Sequence, residues 1–173
     1  MLSLVSRAVQ VLSRNEGGNP SQILVANNSL LNVSMTPGGG GVSSSPVTIG
    51  RAGEEPVVNY SGIVISGNTM TLPGGAAVFA ESATNLTIRD NTFKSPCEIS
   101  ADLSKQASKS TTQQAVFISR VVGANVESNV MVDETASCTK DPVTQTAILG
   151  LGQLTSSVTL DGKILPPTAV VSR

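Results

Sequence analysis

The sequence predicts an all-β fold in which short strands recur in stacked, loop-joined units. Three observations carry that expectation. A two-part apolar motif returns five times along the 173 residues. The residue vocabulary is that of strands and turns, with 21 Val, 23 Ser, 16 Thr and 11 Asn. Aromatic residues make up only 2% and charged residues 13%, so the core must be aliphatic and repeated many times over. Val and Thr fit a pleated, half-buried surface, whereas Ser, Asn and Gly bond their own backbone or tolerate unusual dihedrals and supply the turns.

The first part of each unit reads AVQVLSR from Ala8, PVTIGR from Pro46, AVFAES from Ala77, AVFISR from Ala115 and AILGLG from Ala147. Taking Val9, Val47, Val78, Val116 and Ile148 as anchors places alternate apolar side chains inward. The second part reads ILVANNSL at 23–30, IVISGNTM at 63–70, LTIRDNTF at 86–93, NVESNVM at 125–131 and VTLDGKIL at 158–165. Val25, Ile65, Ile88, Val126 and Leu160 align as its central column. Three positions on come Asn28, Asn68, Asn91 and Asn129, with Lys163 departing from the pattern. Two further on stand Leu30, Met70, Phe93, Met131 and Leu165. The coils therefore run near 8–30, 46–70, 77–93, 115–131 and 147–165, in one domain spanning 1–173. Insertions fill 31–45, 94–114 and 132–146; a short helix is expected only near 99–109. One unit alone cannot bury its inward side chains, so units must stack, like above like. An Asn at the same turn of every unit then bonds its own backbone and its neighbour's, satisfying turn amides that would otherwise lack partners.

This arrangement resembles the right-handed parallel β-helix of the pectin-lyase-like superfamily, in which three short parallel sheets wind around an aliphatic core and an Asn ladder marks one turn. The resemblance covers roughly residues 8–165. It implies a right-handed solenoid of about five coils. By analogy it also implies an extracellular or cell-surface, carbohydrate-directed protein of the glycoside hydrolase or polysaccharide lyase kind, or a structural shaft of the tailspike or adhesin kind. The Gly-His-Gly and Arg-Ile-Lys segments of polygalacturonase-like members are missing, so no catalytic residue is assigned and this chain alone is read as structural or glycan-binding. Open coil ends imply contact with the rest of a parent protein or with further copies of the chain. A Met followed closely by strand-like sequence reads as a segment of a longer protein.

Composition excludes other classes. With no His there is no Ser-His-Asp or Cys-His nucleophile system and no His-ligated metal. A net charge of −1 with one Tyr, three Phe and no Trp gives neither an electrostatic footprint nor stacking platforms for nucleic acid. The opening MLSLVSRAVQVLS is interrupted by Arg7 and closed by no small-residue cleavage site, so it is not read as a signal peptide. No apolar run approaches the roughly 20 residues of a membrane-spanning helix.

Candidate binding residues lie in the outward column beside the central core residue: Ala26, Ser66, Arg89, Glu127 and Asp161. Arg89 and Glu127 are expected to form a cross-coil ion pair. Together with Asp90 and Asp161 they also form a candidate glycan groove, where an Arg grips a carboxylate and paired acids serve as proton donor and base. A second outward column, Gln10, Thr48, Phe79, Phe117 and Leu149, is apolar at its last three positions, and an insertion is expected to fold over it. Cys97 and Cys138 follow the same inward column on consecutive coils, which makes them a candidate disulfide and, if bonded, implies an oxidising compartment. No cofactor is expected; Asp133, Glu134 and Asp141 are weak Ca²⁺ candidates that read better as a solvated acidic loop. GGGG at 38–41 lacks a following GK[ST] and reads as a flexible loop. Sequons at Asn27, Asn32, Asn59 and Asn85 matter only in a eukaryotic secretory host.

Overall fold

Alternating Val, Ile and Leu with small polar residues produces short strands throughout. In the computed structural model every regular element among the described residues is a strand. The structure describes residues 9–11, 21–31, 46–50, 60–71, 76–94, 114–132, 138, 140–152 and 156–166. The helix expected near 99–109 lies outside them, as do most of the insertions at 31–45 and 94–114.

Each of the first four units contributes successive strands to three different sheets. The first sheet takes β1 (Val9–Val11), β4 (Val47–Ile49), β7 (Val78–Glu81), β10 (Val116–Ser119) and β13 (Leu149–Leu151), in that order. The second takes β2 (Ser21–Ala26), β5 (Tyr60–Ser66), β8 (Ala83–Arg89), β11 (Val122–Glu127), β14 (Val158–Leu160) and finally β15 (Lys163–Leu165). The third takes β3 (Ser29–Leu31), β6 (Thr69–Thr71), β9 (Thr92–Lys94) and β12 (Val130–Val132). Neighbouring strands are one repeat apart in sequence and run parallel, save for the β14–β15 pair.

The register is the one the repeat predicts over the first four units. Val25, Ile65, Ile88 and Val126 are mutual neighbours across the second sheet, and Leu30, Met70, Phe93 and Met131 across the third. Ile63, Ile65, Met70, Leu86, Ile88 and Phe93 are fully buried. Removing such side chains from water stabilises by about 1.5–3 kcal/mol each, so this aliphatic stack supplies the main driving force.

Left-handed residues also stack. The turn from second to third sheet places Asn27, Gly67, Asp90 and Ser128 at φ between 55° and 64°. A further column, Gln22, Gly62, Asn85 and Gly123, bends the strands of the second sheet at φ between 52° and 69°, where the ladder skips one residue in every strand. Gly67 takes this conformation at φ +64° without the strain a side chain adds, and a Cβ there would sit 2.5 Å from the Oδ1 of the exposed Asn27 side chain, which would have to move.

The fifth unit departs from the expected register in two ways. Val116 pairs with Leu149, not with Ile148, so the inward residue is Leu149. The expected outward position of Leu149 is therefore corrected by one residue, and Gly150 follows Phe117 in the outward column. The cause is that AILGLG offers two apolar frames, and only the frame starting at Leu149 buries a large side chain at both inward positions, Leu149 and Leu151. The second departure is that VTLDGKIL does not deliver a strand to the third sheet. Asp161 and Gly162, at φ 45° and 79°, make a tight left-handed turn, and β15 folds back antiparallel on β14. Asp-Gly between apolar runs is the short-range signature of such a hairpin.

Candidate functional site

The turn between second and third sheets gathers most of the predicted polar residues and is built around the Asn column. In each inner unit a left-handed residue precedes an Asn whose amide turns into the stack. The Asn28 Nδ2 donates to the Asn68 Oδ1 at 2.9 Å, the Asn68 Nδ2 to the Asn91 Oδ1 at 3.0 Å, and the Asn91 Nδ2 to the Asn129 Oδ1 at 2.9 Å. Each acceptor oxygen also takes the backbone N–H of the previous unit's Asn. The remaining side-chain proton is used as well: Asn68, Asn91 and Asn129 donate to the carbonyls of Val25, Ile65 and Ile88. Asn68 and Asn91 are buried, and this bonding satisfies them fully enough for a core position.

The outward residues beside this ladder are the glycan-groove candidates. Ser66, Arg89 and Glu127 stand side by side in register on β5, β8 and β11. Arg89 does not make the expected pair with Glu127. Its Nη1 lies 3.4 Å from the Asp90 Oδ2, with both side chains about half exposed (50% and 54%). Asp90 sits in the left-handed turn next to Arg89. An exposed pair of this kind contributes about 0–1 kcal/mol, and its half exposure leaves both groups accessible to solute. Asp161 follows Leu160, the partner of Val126, and its Oδ1 accepts the Ser128 backbone N–H at 2.9 Å. The structure thus gathers Arg89, Asp90 and Glu127 at one edge and gives Asp161 a structural bond there. The arrangement presents one exposed cation, the exposed Asp90 in the turn beside it and the half-buried Glu127 on the next strand, groups able to hydrogen-bond hydroxyls or grip a carboxylate.

The outward aromatic column is sheltered. Phe79 is only 2% exposed, and its ring stacks on Phe117 at 5.6 Å between centroids and 9° between planes. Next in that column, Gly150 leaves room for the Gln114 side chain, whose Oε1 would lie 2.7 Å from a Cβ there.

One polar feature has no counterpart in the sequence columns, and a second differs from the solvated loop expected. Glu81 and Arg120, at the ends of AVFAES and AVFISR, form an ion pair between consecutive units with side chains only 9% and 17% exposed. They lie one residue out of register, since Glu81 aligns with Ser119, so column reading does not find them. Asp141 is buried, its Oδ1 accepting the N–H groups of Val143 and Thr144 and its Oδ2 that of Leu151. It ties a turn to β13 in place of the solvated loop expected; Asp133 and Glu134 lie outside the described residues. Among the described residues no group of three His, Cys, Asp or Glu is placed to hold a metal ion, and no helix is long and apolar enough to cross a membrane. Cys138 is disulfide-bonded; Cys97, the chain's other cysteine, lies outside the described residues.

No protein-family model, no curated protein and no solved structure matches the chain.

Proposed function

We propose that the three sheets close into a right-handed parallel β-helix that serves as a structural, glycan-facing segment of an extracellular, carbohydrate-directed protein. The glycan edge runs along Arg89, Asp90 and Glu127. The observation that carries this reading is the in-register placement of Arg89 and Glu127 on adjacent strands, with Asp90 beside them and the Arg89–Asp90 pair half exposed. Carbohydrate as the ligand class follows from the resemblance of the repeat to the pectin-lyase-like superfamily. A screen against neutral glycans and acidic polysaccharides tests it. Binding that falls at least tenfold in Arg89→Ala and Glu127→Ala supports the reading, and no binding to any glycan overturns it.

A structural shaft is the second reading, favoured by the unbroken Asn ladder, which spends its polar side chains on cohesion between units. Light scattering separates the two: an obligate trimer favours the shaft, a monomer that binds glycan favours the first reading.

A further inference from the structure

We propose that the Asp161–Gly162 hairpin is a stop that ends parallel stacking at this edge of the second sheet and prevents end-on association there. Four observations converge on these eight residues. β15 pairs antiparallel with β14, Val158 opposite Leu165 and Leu160 opposite Lys163, so the sheet's last strand runs against every strand before it. A further copy adding by the parallel register of the stack meets an edge of the wrong direction, carrying an exposed Lys163.

Leu165 is the second observation. It is 3% exposed and belongs to the core cluster, although it stands on the outermost strand of this sheet among the described residues. Opposite the fully buried Val158, it covers the end of the inward column that an additional unit would otherwise have to cover.

Third, Asp161 replaces a strand at the turn. In the inner units the left-handed residue donates its N–H to a backbone carbonyl of the next unit: Asn27 to Ser66, Gly67 to Arg89, and Asp90 to Glu127. Ser128, the last of that column, donates instead to the Asp161 carboxylate at 2.9 Å. A side chain thus satisfies the amide that would bond the next unit's backbone.

Fourth, Gly162 is needed for its backbone conformation and not for want of space. Gly162 has φ +79°, and a Cβ there would meet nothing within 4 Å. A β-branched residue at this position strains the turn without a clash, whereas Asn tolerates the left-handed region.

The full chain carrying Gly162→Val, Gly162→Asn or Leu165→Ser tests the proposal, with amide hydrogen exchange and light scattering read over a range of concentrations. The stop predicts that Gly162→Val and Leu165→Ser speed exchange at 158–165 while the amides of Asn68 and Asn91 stay protected. It also predicts that both variants shift from the wild-type mass to a doubled or higher mass as concentration rises, and that Gly162→Asn matches wild type in both readouts. An opened hairpin with unchanged mass overturns it. So does a hairpin still protected in both opening variants, since neither the turn nor Leu165 then holds it. Loss of protection at Asn68 and Asn91 also counts against it, because a stop is dispensable for the stack beneath.

Discussion

The Asn91 Oδ1 accepts two hydrogen bonds from Asn68 of the preceding unit, one from its backbone N–H and one from its Nδ2, each at 3.0 Å. One buried oxygen therefore satisfies both a turn amide and a side chain of the neighbouring unit, while the Asn91 Nδ2 bonds Ile65 and Asn129.

Replacing Asn91 by Ala strands those donors and acceptors in a site closed to water. The expected loss is about 2–4 kcal/mol, since each buried unsatisfied group costs about 1–3 kcal/mol. Asn28→Ala, at the exposed end of the ladder, is expected to cost about 1 kcal/mol. Urea denaturation of both variants measures the gradient; equal costs at the two positions would contradict the ladder's role.

The ladder and the aliphatic columns are legible because the first four units spell them at the same spacing. The fifth unit escapes a column reading because local turn chemistry and packing depart from the repeat there, and the Glu81–Arg120 pair escapes it because the two residues lie one position out of register. VTLDGKIL keeps the apolar spacing, and only Lys163 in the Asn place and the Asp-Gly pair mark a hairpin. AILGLG fits two frames, and packing chooses between them. At the candidate site Arg89 and Glu127 are register neighbours, yet the guanidinium pairs with Asp90, the next residue in the chain, which a column count does not show.

The fifth-unit register makes its own prediction. Leu149→Ala is expected to destabilise by about 2–5 kcal/mol as a buried large-to-small change, and Ile148→Ala by clearly less, because Ile148 is only half-buried. Thermal or urea denaturation of the two variants decides; the opposite order would restore the frame anchored on Ile148.

The Glu81–Arg120 pair joins two units where little water reaches. Arg120→Met is expected to cost about 1.5–3 kcal/mol, the range for hydrogen bonds to charged groups. In a double-mutant cycle with Glu81→Gln the two costs should fall short of adding. Strict additivity in denaturation would show that the pair contributes nothing.

Cys138 is bonded, and peptide mapping without reduction is expected to yield one cross-linked species containing Cys97 and Cys138. Reduction should lower stability by about 2–4 kcal/mol, the usual contribution of a disulfide. A free thiol at either position in the unreduced native protein contradicts the pairing.

Parallel, in-register stacking of successive units is read out by methyl nuclear Overhauser spectroscopy. The expected contacts link Val25 to Ile65, Ile65 to Ile88, and Ile88 to Val126 in an unbroken series. Contacts that instead join Ile88 to strands in antiparallel order, with the Ile65–Ile88 and Ile88–Val126 peaks missing, would contradict it.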